Sequence, residues 1–380
     1  MLPNYQDGII VNLMSSIITG LGGKSNYKPL SAIAPQEIAQ AQNVVLMVID
    51  GLGYDSVQEL GKKSYLGKQH LGKITTVFPS TTTAAITTFF TGVSPQEHGM
   101  TAWYMYMKEF NTVVAILPFC AKDKNQLRMS KAGLAVPASI FTKIKVESHI
   151  VLKKSFNNSP YNSLFQDKAI FWGYNNLRSF GSAVRKAVLS STRKKYIYAY
   201  WPGFDDFSHF YGKEDQKTRK HLQEIDVVIE RICEKLQGTN TLLLITADHG
   251  QITTTAKKTI IIEKHPLLKE CMSKPLCGEP RAAFFYIKPQ KQQQFERYIK
   301  HKLGRYCILY RSAELAEKGY FGRGKPHLNF KDRIGDYILI PKENYIIRES
   351  LITKEKPLLL GHHGGLSEGE MLVPLIKIKV

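Results

Sequence analysis

Asn43–Gly51 reads NVVLMVIDG and Thr241–Gly250 reads TLLLITADHG. Each is a continuous apolar run that stops at an aspartate, with a glycine one or two residues on. Runs of this kind, bounded by turn residues, suit buried strands of a mainly parallel sheet, because such a sheet is covered on both faces. Thr112–Leu117, Lys194–Trp201 and Arg281–Ile287 repeat the pattern. Between two of these runs Leu222, Ile225, Ile229, Ile232 and Leu236 recur at spacings of three and four, which predicts an amphipathic helix feeding the 241–247 strand. Strands alternating with helices make an α/β layer pattern.

Composition removes several alternatives. In 380 residues, 43% hydrophobic and 22% charged, there is no basis for general disorder, and five cysteines give no disulfide framework. No uncharged apolar run reaches the roughly 18 residues of a transmembrane helix. The nearest approach, Gly8–Leu21, lacks a basic leader and carries Asn12, Ser15, Ser16 and Thr19, so it reads as a first strand or buried turn rather than a secretory signal. With an odd cysteine count, that reading predicts a cytoplasmic, reducing compartment. The sequence carries no signal for an oligomeric state.

A formal charge of +20 favours anionic partners, whether phosphate esters, nucleic acid or an acidic membrane, without choosing among them. No helix-turn-helix, zinc-finger or RNP signature is present. The stretch 143–195 holds 11 Lys or Arg against Glu147 and Asp167. It reads as part of an inserted basic cap or lid, at 130–195, over one sheet edge. Residues 303–335 read as a short strand, a helix and a Gly-rich loop. No repeat or low-complexity linker divides the chain, so 1–380 is expected to be a single α/β domain.

Chemistry-bearing residues gather where strands end. Asp50 and Asp248-His249 follow apolar strands, and ligands in open α/β sheets collect at the carboxyl ends of strands. Either aspartate also suits a helix cap. Asp beside His offers an oxygen and an imidazole, a mixture that suits zinc and similar divalent ions. In WPGFDDFSHFYG, 201–212, a helix after Gly203 would put Asp205 and His209 on one face, with Asp206 as the competing carboxylate or cap. His362-His363-Gly364-Gly365 is a loop in which either histidine is a candidate.

The Thr-rich segment TTVFPSTTTAAITTFFTGVSPQEHG, 75–99, is the most unusual local sequence. Pro79-Ser80 predicts a loop end, and the alanines a helix with Thr81–Thr83 in its first turn. Unpaired amides there favour an anion beside a hydroxyl. A threonine hydroxyl needs a metal or a base to become a nucleophile. N-capping accounts for one threonine and not for the others.

Taken together, these elements resemble the alkaline phosphatase superfamily, and within it the type I phosphodiesterase / nucleotide pyrophosphatase family. The resemblance runs from about 43 to 380. It rests on Asp50-Gly51, on Pro79 with Thr82 three residues later, on Thr91-Gly92, on Pro95 with His98-Gly99, on Asp205, His209 and Gly212, on Asp248-His249-Gly250, and on His363-Gly364. It implies an alkaline phosphatase-like three-layer sandwich with a mainly parallel central sheet. It implies Thr82 as nucleophile and two divalent ions, zinc with manganese as the other candidate. Asp50, Thr82, Asp248 and His249 would hold one ion, and Asp205, His209 and His363 the other. The expected activity is hydrolysis of a phosphodiester or pyrophosphate bond in a small anionic phosphoester, through a phospho-threonine.

One departure bears on specificity. The nucleotide pyrophosphatases carry a phosphate-binding Asn 21 residues beyond the nucleophile, and Trp103 stands there in this chain. Trp103 and Tyr104 are therefore candidates to contact substrate or to pack the core. Glu279 and Arg281 read as a structural ion pair or orienting groups rather than as substrate ligands. The alternatives are a phosphomonoesterase of the same superfamily, and a basic nucleic-acid-binding protein with a vestigial metal site.

Overall fold

The structure is a computed structural model and describes residues 1–122, 127, 131–157, 159–349 and 358–380. Asn43–Ile49, buried along its whole length, is the central strand of a seven-stranded sheet. Across that sheet the order is His70–Thr75, Leu372–Lys379, Thr241–Thr246, Asn43–Ile49, Lys195–Trp201, Glu147–Lys153 and Ile170–Tyr174. The last five are parallel, and Leu372–Lys379 runs against both of its neighbours.

Alternation of side chains along Lys195–Trp201 sets the layers. Tyr198 meets Phe89 and Phe90 of the Thr82–Thr91 helix on one face, at ring distances of 6.5 and 5.0 Å. Trp201 meets Phe180 of the Leu177–Leu189 helix and His221 of the Gln216–Lys235 helix on the other, at 5.6 and 5.9 Å. Helices thus cover both faces of the sheet. The 222–236 periodicity corresponds to Gln216–Lys235, whose Leu222, Ile225, Ile229 and Ile232 are buried.

Three expectations need correction. First, the apolar runs at 112–117 and 281–287 do not join the parallel sheet. Thr112–Ala115 and Ala282–Phe285 belong to a second seven-stranded sheet in which every pair is antiparallel. Second, much of the basic cap is the edge of the central sheet itself. Glu147–Lys153 and Ile170–Tyr174 are two of its parallel strands, and Leu177–Leu189 is the helix covering them. Their cations lie on outward faces and ends, so composition obscured the strands, of which Glu147–Lys153 has a buried interior; Lys195 is itself buried, donating to the Val188 and Ser191 carbonyls. Residues 130 and 158 of that stretch lie outside the described residues. Third, Gly8–Leu21 is neither strand nor turn. It holds the helix Ile10–Gly20, in which Asn12, Ser15 and Ser16 are as buried as the aliphatic residues. The Asn12 amide donates to the Lys28 carbonyl at 2.8 Å and Ser15 Oγ to the Tyr27 carbonyl, which is how polar groups survive inside.

Strand register fixes where the chemistry gathers. Ile49 pairs with Trp201 and Val48 with Thr246, so the chain leaves three adjacent parallel strands at the same edge. Asp50, the Gly203–Tyr211 helix and Asp248-His249 follow those three exits. Gly51 turns there with φ +73°, and a Cβ on it would come within 3.0 Å of Asp205 Oδ1 and of Gln251 Nε2. No helix among the described residues is long and apolar enough to cross a membrane.

Candidate metal centre and nucleophile

Thr82 opens the helix Thr82–Thr91, with Thr81 at the N-cap. The first bond of that helix runs from the Ala85 amide to the Thr81 carbonyl, so the amides of Thr82, Thr83 and Ala84 have no partner within the helix. Thr82 Oγ lies 3.1 Å from His249 Nε2. A hydroxyl and free amides therefore stand at the positive end of a ten-residue helix, next to the sheet edge where the aspartates emerge. Thr81 does not cap with its side chain. Its hydroxyl donates to Glu279 Oε1 at 2.7 Å.

Three carboxylates and three imidazoles converge beside Thr82. Asp248 Oδ1 accepts from the Gly51 and His249 amides, both at 3.0 Å, while its Oδ2 is buried without a hydrogen-bond partner. Asp50 Oδ2 accepts from the Tyr200 hydroxyl, and Asp50 Oδ1 is likewise buried without a partner. Asp205 Oδ1 accepts from Gln251 Nε2, and Asp205 Oδ2 lies 3.1 Å from His209 Nε2. Asp206, the competing carboxylate, is exposed.

The histidines share one orientation. Nδ1 of His209, His249 and His363 faces the carbonyls of Gly361, Gly250 and Ser80 at 2.7, 3.0 and 3.2 Å. In the neutral rings, donation from Nδ1–H would leave each Nε2 with its lone pair, the arrangement of a metal-binding imidazole held by its other nitrogen. His249 and His363 stack with ring centroids 3.7 Å apart. His362 is turned the other way, its Nε2 facing the Leu359 carbonyl at 3.0 Å. Gly364, with φ +115°, brings the loop so close that a Cβ there would meet Glu279 Cβ at 2.5 Å.

The electrostatics of this cluster call for cations. Burial, reinforced by the charges of Asp248 and Asp205, pushes the Asp50 carboxyl well above its usual range, and burial also raises Asp248. Burial opposes ionisation of Asp205 too, but His209 outweighs it and holds that carboxyl low. His209 rises to about 9 because Asp205 overcomes its own desolvation. Among the described residues Asp50, Asp205 and Asp248 have only histidines as ion-pair partners. His249 Nε2 lies 3.3 Å from Asp50 Oδ1 and 3.6 Å from Asp248 Oδ2, lone pairs set against lone pairs. Buried anions without counter-charge destabilise a fold unless cations join them. Ligand atoms of Asp50, Asp248 and His249 lie within 4.8 Å of one another, as do those of Asp205, His249 and His363. His249 is common to both groups, so the donor set fits divalent metal ions bound side by side.

Several positioning groups have no sequence signature. Tyr200 and Gln251 orient Asp50 and Asp205, and Gln251 is buried. Gln251→Ala is expected to weaken metal binding by about 10–100-fold, measured by titration of metal-free protein, with the fold retained. Unchanged affinity would mean that Asp205 needs no such support. Arg281 pairs in two hydrogen bonds with Glu370, at 3.0 and 2.9 Å, and not with Glu279 as the sequence suggested. Glu279, raised to about 7 by burial, instead accepts from Thr81 and, at 2.6 Å, from the Trp103 amide. Trp103 is thereby tied to the helix that begins with Thr82, and its side chain is half-buried. The Tyr104 ring lies under Lys122 Nζ, 5.0 Å from the centroid.

Solved structures of known proteins share this architecture. Human ectonucleotide pyrophosphatase / phosphodiesterase 5 superposes with a TM-score of 0.66 at 18% identity, over 88% of this chain and 87% of that one. Phosphonoacetate hydrolase from Sinorhizobium meliloti, in complex with phosphonoformate, gives 0.64 at 18% identity, over 89% and 90%. The fold is that of the alkaline phosphatase superfamily. The family model for type I phosphodiesterase / nucleotide pyrophosphatase matches residues 44–366, most of the chain and all of the residues gathered around Thr82, and the chain belongs to that family.

Proposed function

We propose that the protein hydrolyses a phosphodiester or pyrophosphate bond in a small anionic substrate, with Thr82 as nucleophile and two divalent metal ions, zinc before manganese, as cofactors. The observation that carries this reading is the Thr82 hydroxyl at a helix N-terminus, 3.1 Å from His249 Nε2 and beside buried carboxylate oxygens without partners. Asp50, Asp248 and His249 with Thr82 would hold one ion, and Asp205, His209 and His363 the other. Bound there, the ions supply Lewis acidity and neutralise charge on the transferring phosphoryl group.

The residues of the chain do the rest. The Thr82 hydroxyl gives up its proton to solvent and its oxygen bonds to phosphorus, while the opposite P–O bond breaks, its electron pair leaves with the departing oxygen, and that oxygen takes a proton from solvent as the alcohol or phosphate departs. The amides of Thr82, Thr83 and Ala84 donate to non-bridging oxygens. Water then attacks the phospho-threonine from the vacated side and regenerates the hydroxyl.

The murine relative of the human protein above has been solved, in an inactive form, in complex with AMP. Trp103 stands where the nucleotide pyrophosphatases carry Asn, so the proposed substrate class is defined by the phosphoester bond and not by a nucleotide. Rates on bis-p-nitrophenyl phosphate, the p-nitrophenyl ester of thymidine 5′-monophosphate and p-nitrophenyl phosphate test the reading: either diester is expected to exceed the monoester by tenfold or more. Preference for the monoester would overturn it in favour of a phosphomonoesterase. A cytoplasmic placement is part of the same proposal. Supporting it, all five cysteines are unpaired.

A further inference from the structure

The Gln216–Lys235 helix carries Asp226, Glu230 and Glu234 on one stripe and Arg231 and Lys235 on the next, with Glu224 on the stripe of the cations and paired with His221 at 3.3 Å. Asp226 turns towards the Tyr65–Lys68 helix, where its carboxylate accepts from the Tyr65 and Leu66 amides at 3.0 and 2.7 Å. The charges of Glu230 and Glu234 also bear on Tyr65. Arg231 and Lys235 instead line a groove of about 230 Å³ against the Leu177–Leu189 helix. That helix supplies Arg178, Ser182 and Arg185 to the groove and contains no acidic residue. All four cations are exposed, and none has an ion-pair partner among the described residues.

Two exposed aliphatic side chains outside the groove stand one helical turn from its arginines. Positions 178, 182, 185 and 189 fall on one stripe of a helix, so Leu189, 53% exposed, continues the line of Arg178 and Arg185. Val227, 41% exposed, stands four residues before Arg231. Gly181 lets the helices approach so closely that a Cβ there would lie 3.1 Å from Val228 Cγ1, which keeps the groove shallow.

We propose that this face docks the protein on an anionic phospholipid surface, with Arg178, Arg185, Arg231 and Lys235 meeting headgroup phosphates and Leu189 and Val227 entering the apolar boundary. Unpaired cations beside exposed aliphatic side chains are what an acidic bilayer interface recognises. A single-stranded nucleic acid is the poorer match. The groove lining contains no aromatic ring on which a base could stack, and a water-soluble polyanion gives Leu189 and Val227 no way out of water. The +20 charge of the chain steers it to the same kind of surface.

The test is sedimentation of the full chain with vesicles of phosphatidylcholine, alone or with about a third phosphatidylglycerol. Binding is expected only to the anionic vesicles and should fall as salt rises. Arg185→Gln with Arg231→Gln is expected to weaken it by about 25-fold, near fivefold per cation. Leu189→Ser with Val227→Ser should weaken it by about tenfold or more at unchanged charge. Both double variants should hydrolyse a small soluble ester at the wild-type rate, which shows that they fold. Equal binding to neutral and anionic vesicles would overturn the proposal. So would wild-type vesicle binding by the Leu189/Val227 variant, or tight binding of a single-stranded oligonucleotide through the same arginines without vesicle binding.

Discussion

Thr82→Ala is expected to lower kcat by roughly 10⁴-fold or more while leaving the fold, and the carboxylate and imidazole groups that would hold both ions, in place. The substitution removes one hydroxyl and one methyl from a buried position at the first turn of a helix, where alanine is favourable. It leaves the Thr81–Glu279 hydrogen bond and all six carboxylate and imidazole groups untouched. Loss of activity without loss of melting temperature is therefore the signature of a nucleophile. Thr82→Ser should recover a substantial part of the rate, because an oxygen returns to the same place. Full turnover by the alanine variant would show that another group, or water, attacks phosphorus.

Asp248→Asn is expected to move stability in opposite directions with and without metal. In the metal-free protein Asp248 Oδ2 is buried, unpartnered and close to other lone pairs. An asparagine oxygen can keep the two amide bonds to Oδ1, and its NH₂ can donate to Asp50 or His249. The metal-free variant should therefore be more stable than wild type, by about 1–3 kcal/mol, the cost of one unsatisfied buried acceptor. Metal reverses the order. Wild type at a free ion concentration 1,000 times its Kd gains about 4 kcal/mol per site, and the variant loses most of that gain at the site it has neutralised. Thermal melts with and without chelator read both effects, and metal analysis is expected to return about two ions per wild-type chain and fewer for the variant. A variant less stable than wild type when metal-free, and equally responsive to metal, would remove Asp248 from the ligand set.

The residues around Thr82 were legible because each is tied to a strand end or to a fixed spacing. Asp50 and Asp248 terminate apolar runs whose register sets them side by side, and Asp205 and His209 are four apart on a helix. What was not legible depends on neighbours in space. Gln251 and Tyr200 take their roles from Asp205 and Asp50, distant in sequence, and nothing local distinguishes Glu370 from Glu279 as the partner of Arg281. Ile10–Gly20 was misread because a helix buried on every side has no polar face to give a period. The basic stretch misled for the opposite reason: charges at the ends hid the short buried run inside Glu147–Lys153, and Ile170–Tyr174 beside it is only partly buried. The second sheet went unseen because a buried antiparallel strand such as Ala282–Phe285 is as uniformly apolar as a parallel one.

Leu372–Lys379 lies between His70–Thr75 and Thr241–Thr246, joining strands made long before it. Synthesis on the ribosome proceeds from the other end. Until residue 379 has emerged, Thr241–Thr246 presents an unpaired apolar edge, the kind of surface that invites aggregation, and His70–Thr75 lacks its partner strand. His363 comes off the ribosome only shortly before that strand, so the same late stretch supplies a metal-site histidine and closes the sheet. A chain stalled short of it would carry neither a finished core nor a complete set of metal-binding groups, and quality control would meet it as an open sheet edge rather than as a damaged enzyme.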